Sequence, residues 1–123
     1  MKGNVAEDML RILSSHRTWS HGFLFAGPRA CLMGARLRVA GNGYLAGWSP
    51  ADGGKAAFAM RTDPYTVLLA RIITEQFPER MHKAMITAPQ KVIAFNDYYA
   101  TRYTDIRLVL EKAAVAWEET GNG

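Results

Sequence analysis

At 123 residues, 49% hydrophobic and 21% charged, the chain has the size of one domain with a single core, and a composition that excludes global disorder. No apolar run approaches the ~20 residues of a membrane span, and the start Met1-Lys2-Gly3-Asn4 leads into acidic Glu7 and Asp8, unlike a signal peptide, so no membrane partner and a cytoplasmic location are expected. The net charge of +4 sits in residues 1–60, with seven Lys/Arg against three Asp/Glu, whereas residues 61–123 hold eight of each.

In chain order, the first predicted helix runs over residues 5–15. Asn4 is its N-cap, Glu7 completes a capping-box spacing, and Val5, Met9, Ile12 and Leu13 share a face. Residues 17–27 lack a sustained period and read as a loop packed down by Trp19, Phe23 and Phe25. A second helix is predicted to start at Pro28 and stop near Ala40, before Gly41. Its small residues Ala30/Gly34 and Cys31/Ala35 lie one turn apart and suit close helix packing. Residues 41–55 have loop composition, with Tyr44, Leu45 and Trp48 as anchors, and the run 56–60 suits either a strand or a helical turn.

The third helix is capped by Asp63, begins at Pro64 and ends before Pro78, with Tyr65, Leu68, Leu69, Ile72, Ile73 and Gln76 on one face. A shorter fourth helix, 88–95, has capping-box residues Thr87 and Gln90, although its Val92-Ile93 pair also suits a strand. The last, 105–119, has the best periodicity of the chain: Ile106, Val109, Leu110, Ala113, Ala114 and Trp117. The expected fold is therefore all-α, a compact single domain over residues 1–123 with about five helices, a long Gly-rich loop and room for a minor β element. The expected core holds Met9, Leu13, Trp19, Leu32, Leu37, Leu68, Leu69, Ile72, Ile73, Ile93, Val109, Leu110, Ala113 and Trp117.

The chemistry-bearing residues are few. Cys31 is the only cysteine, which excludes an intrachain disulfide and a Cys-based zinc site. It is read as a buried structural thiol, with a Cys31-dependent enzyme as the alternative if a base such as His16, His21 or His82 approached it. The histidines have no metal-ligand spacing, and neither a P-loop nor GxGxxG is present, so no metal, cofactor or nucleotide is expected. Asn96-Asp97 is read as a turn that locks the fourth helix against the fifth, ahead of an active-site carboxylate. Beside it, Tyr98, Tyr99, Arg102 and Tyr103 make the preferred protein-binding surface, and Tyr44 and Trp48 the second, because aromatic and Arg side chains dominate binding hot spots. Gln90, Ile93 and Phe95 form a loose match to peptides that dock in the bacterial sliding clamp, an alternative partner. The basic first half, with Arg11, Arg17, Arg29, Arg36 and Arg38 among its cations, leaves a nucleic-acid partner open.

Trp19-x-x-Gly22, the stretch Cys31-Leu32-Met33-Gly34-Ala35, Phe95-Asn96-Asp97 and the terminal apolar stripe, in that order, together resemble a small family of uncharacterised domains found in actinobacteria and their bacteriophages. The resemblance spans the first helix through the last. It implies a phage origin and identifies no activity, substrate or cofactor; because phage accessory proteins of this size often act by binding a host protein, a non-catalytic role in binding a host or phage protein is expected. The family pattern commonly has Trp where this chain has Phe95.

Overall fold

The computed structural model describes residues 4–22, 25–27, 29–40, 58–80 and 87–120. Tyr44, Trp48 and the rest of 41–55, together with Phe23, Pro28, His82 and the side chain of Phe25, lie outside the described residues. Within them the fold is all-α with a two-stranded hairpin.

Helix α1, Val5–Ile12, is capped as its sequence demands: the Asn4 side chain accepts from the Glu7 N–H at 2.8 Å. It ends earlier than the periodicity predicts, because Ser15 draws the chain into a turn. The Ser15 carbonyl accepts from both the N–H and the hydroxyl of Thr18, and its own hydroxyl accepts from the Arg17 N–H. Strands β1, Phe25–Ala26, and β2, Arg29–Ala30, then pair antiparallel across Gly27, whose φ of +63° is the left-handed conformation a glycine supplies.

This hairpin corrects the expected start of the second helix. Ala30 donates its N–H to the Thr18 carbonyl and accepts from the Ser20 N–H, so its backbone is committed to pairing. Helix α2 is Leu32–Ala40. Cys31 precedes it in the position of an N-cap, its carbonyl accepting from the Ala35 N–H and its Sγ from the Gly34 N–H. Residues 58–59 are helical, which settles the 56–60 alternative for that part of the run.

Helix α3, Pro64–Gln76, is the most buried element, with Tyr65, Thr66, Leu68, Leu69, Ala70, Ile72 and Ile73 all inside. Gln76, expected on that face, is exposed at the helix end. A 3-10 turn, Pro78–Arg80, follows. Helix α4, Ala88–Asp97, carries the complete Thr87/Gln90 capping box and runs two residues beyond Phe95. Helix α5, Tyr103–Glu119, begins two residues earlier than predicted, because the Asp105 carboxylate accepts from the Arg102 N–H and fixes the first turn there. The principal contacts run α1–α2–α4–α3–α5 and back to α1, a closed ring around one core.

The expected core is buried, with Trp19, Ile93 and Trp117 half-buried at its edge. Five further large side chains are fully enclosed: Met33, Tyr65, Val92, Phe95 and Ile106. Tyr65 meets Trp117 edge to face at 5.5 Å, tying the start of α3 to the end of α5.

Asp63 joins α2 to α3. Its carboxylate takes a two-pronged ion pair from Arg36, at 2.7 and 2.9 Å, and caps α3 by accepting from the Thr66 N–H and hydroxyl. Burial pushes this carboxyl upward, but the Arg36 and Thr66 donors outweigh burial and hold it below its ordinary value of 3.8. The unfolded chain therefore binds the proton more tightly. The stabilisation is fully present above the unfolded value and is lost as pH falls through the lowered one. Asp63→Asn keeps a capping side chain and removes the charge. Its thermal midpoint should vary less than that of the parent between about pH 5 and pH 2, with reduced stability at neutral pH, as followed by circular dichroism.

Candidate functional site

Asn96 is fully buried at the end of α4 and uses its whole amide. Its Oδ1 accepts from the Trp19 indole N–H at 2.7 Å and from the Leu32 N–H at 3.0 Å. Its Nδ2 donates to the Ser20 carbonyl at 3.0 Å and to Asp97 Oδ1 at 2.9 Å. That same Asp97 oxygen accepts from the Gly22 N–H at 2.8 Å, where a φ of +92° turns the glycine N–H toward it. The Asn-Asp pair thus clasps residues 19–22 and the start of α2 to the end of α4. It does not bolt α4 to α5, as the sequence reading expected, because Asn96 faces inward toward the incoming strand.

The clasp supports the turn that follows α4. Tyr98 caps the helix, and its carbonyl accepts from the Thr101 N–H and lies 3.0 Å from His21 Nε2, which must donate to it. The His21 ring packs edge-on against Trp19. From the other side Arg80 donates to Thr101 Oγ1 at 3.1 Å and to Asp105 Oδ2 at 2.9 Å, while its guanidinium lies 4.4 Å over Phe77 and 5.7 Å over Tyr98. Arg102 closes the turn by donating to the Tyr99 carbonyl at 3.0 Å. Tyr99 projects from this pinned backbone 79% exposed, its ring stacked on Tyr98 at 4.7 Å.

The other candidate residues separate. Tyr103 leaves the exposed cluster: its hydroxyl donates to the Leu13 carbonyl at 2.6 Å and fastens α5 to the end of α1. Gln90 is occupied in the α4 capping box, Phe95 is in the core against Phe77, and Ile93 is half-buried. The clamp-like segment is therefore helix, not an extended peptide. Among the first-half cations, Arg36 is paired with Asp63, Arg11 with Asp8, and Arg38 donates to the Gly27 and Arg29 carbonyls, which leaves a scattered basic surface.

Cys31 is buried, and desolvation pushes its thiol up to about 11 despite the Gly34 N–H that partly offsets it. A neutral, enclosed thiol is a poor nucleophile. Among the described residues no group of three His, Cys, Asp or Glu stands together to hold a metal, and no helix is long and apolar enough to cross a membrane. Arg80 escaped the sequence reading; its one signal is the Phe77-Pro78 helix stop, which brings a cation back beside aromatic residues.

Two outcomes follow from this geometry. Asn96→Ala strands the Leu32 N–H, the Trp19 indole and the Ser20 carbonyl, and should cost about 3 kcal/mol in urea unfolding. Asn96→Asp should not rescue it, since a second oxygen would face the Ser20 carbonyl and Asp97. Native protein should resist iodoacetamide at about pH 8 and become labelled at Cys31 only on unfolding, as read by intact mass.

No curated protein and no solved structure matches the chain. A family model, described as a family of unknown function (DUF6197), matches residues 3–116, a span that takes in Trp19, Gly22, the Cys31–Ala35 stretch and the Asn96-Asp97 clasp that joins them. On that match the chain belongs to the family of unknown function DUF6197.

Proposed function

We propose that this chain is a small accessory module of the bacteriophage type that acts in the host cytoplasm by binding a host or phage protein, with Tyr98, Tyr99 and Arg102 at the contact. The observation that carries the reading is the contrast at Tyr99: a side chain 79% exposed on a backbone fastened by His21, Arg80, Arg102 and the Asn96 clasp. Tyrosine and arginine are among the residues that dominate protein-binding hot spots. A prestacked tyrosine pair loses little side-chain freedom on docking, so more of its buried area is expressed as affinity. Arg102 adds a cation at the rim, and Tyr103 serves the fold through Leu13 rather than the contact.

The alternatives draw less support. A sliding-clamp contact through Gln90, Ile93 and Phe95 would require α4 to unwind and give up a core aromatic. A Cys31-dependent reaction would start from a buried thiol with a raised pKa. For nucleic-acid binding, the described first half offers scattered cations, of which Arg36 is engaged with Asp63 and Arg38 with the Gly27 carbonyl, while Arg11 pairs with Asp8 at the surface.

The test is capture of partners from host lysate on the immobilised protein, followed by affinity measurement on whatever protein is recovered. Tyr99→Ala/Arg102→Ala, shown to be folded by circular dichroism, should weaken that affinity by roughly 30-fold or more. An unchanged affinity removes this surface from consideration. A salt-sensitive shift of generic DNA with no protein recovered would favour the nucleic-acid reading.

A further inference from the structure

Away from the tyrosine turn, a groove of about 670 Å³ runs between α3 and α4. Its floor is aliphatic: Val67, 47% exposed, with Ala70 and Ala88. Its rim carries Arg61, Arg71 and Lys91 against one acid, Glu75. This imbalance is not inherited from composition, because residues 61–123 hold equal numbers of acids and bases.

Four of the eight carboxylates in that half are engaged elsewhere. Asp63 is held by Arg36 and the α3 cap, Asp97 by Gly22 and Asn96, Asp105 by Arg80 and the Arg102 N–H, and Glu111 by Arg107. Arg71 and Lys91 are left with no carboxylate at ion-pair distance among the described residues. Two cations outside any ion pair, with a single glutamate on the same rim and an exposed aliphatic floor between the two helices, are complementary to one kind of ligand: a segment with aliphatic side chains on one face and carboxylates beside them.

We infer that the α3–α4 groove is a second docking surface, separate from the Tyr98–Tyr99 turn, that takes an acidic amphipathic segment of a partner protein, with Arg71 and Lys91 meeting its carboxylates and Val67 its aliphatic face. A nucleic-acid strand fits less well. Three cations around an apolar floor neutralise few phosphates, no aromatic residue is among the described lining, and the Phe58 ring is covered by the Arg61 guanidinium at 4.5 Å.

The experiment uses the full chain, labelled with nitrogen-15, and a synthetic peptide with leucines on one helical face and glutamates on the other. Titration should shift the amide signals of Val67, Ala70, Ala88 and Lys91 saturably and leave those of Tyr98 and Tyr99 in place. Arg71→Glu/Lys91→Glu should weaken the peptide about tenfold or more, while Tyr99→Ala leaves it unchanged. Both variants alter exposed or half-buried side chains, and their fold is checked by the dispersion of the same spectra. The inference is overturned if a lysine-for-glutamate version of the peptide binds equally well, if the charge reversal has no effect, or if the groove signals answer instead to a generic oligonucleotide or to protein concentration alone. A null result here leaves the tyrosine surface standing, since that contact is read by a different variant.

Discussion

The side-chain amide of Asn96 is the point on which the described fold converges. One buried group accepts two hydrogen bonds and donates two, and its partners come from the Trp19 side chain, the Ser20 backbone, the first N–H of α2 and the neighbouring Asp97. A buried primary amide is costly unless all its donors and acceptors are met. Meeting them here fixes three separate stretches of chain at once. Trp19-x-x-Gly22, Cys31 to Ala35 and Asn96-Asp97, which look like unrelated fragments along the sequence, are one polar junction in space. The β2 pairing follows from it, because residues 18–20 must lie extended beside Ala30 for Trp19 and Ser20 to reach the amide.

From that junction the exposed turn at 98–102 inherits its rigidity. Helix α4 cannot rotate without breaking the clasp, Tyr98 is met by His21 on one side and by Arg80 on the other, and Thr101 is drawn inside. Interior polar order and a surface aromatic pair are thus two ends of one arrangement. The same economy governs charge. Arg36–Asp63 and Arg80–Asp105 are partly buried pairs whose acids also cap helices, so each carboxylate answers two demands. Such pairs contribute little net energy over an apolar substitute, yet removing one partner strands the other, so they specify position more than they add stability. On the surface, Arg71 of α3 and Lys91 of α4 make no ion pair among the described residues.

What was legible in the sequence is what local physics dictates. The caps Asn4, Asp63 and Thr87 with Gln90 act through neighbouring backbone, and each lies where its residue type and spacing put it. The stripes of α3 and α5 came from 3.6-residue periodicity, which survives any packing that buries one face. Some element ends moved for local reasons, as α1 did at the Ser15 turn, and others because of partners distant in sequence. Residues 29–30 left the helix expected of them because Thr18 and Ser20 supply backbone partners, and α5 began at Tyr103 because its Asp105 cap also answers to Arg80.

The sequence by itself therefore determined the fold class, the helices and most of the core, since periodicity and capping depend on residues within a turn or two of one another. Only the tertiary structure decided which singular residues met. Asn96 lies 77 positions from Trp19 and 64 from Leu32, and no local rule pairs an amide with an indole at that distance. The burial of Phe95, the diversion of Tyr103 to Leu13 and the lack of an ion pair at Arg71 and Lys91 among the described residues have the same origin. Each is set by where a side chain ends up once the ring of helices closes, and that closure is a property of the whole chain.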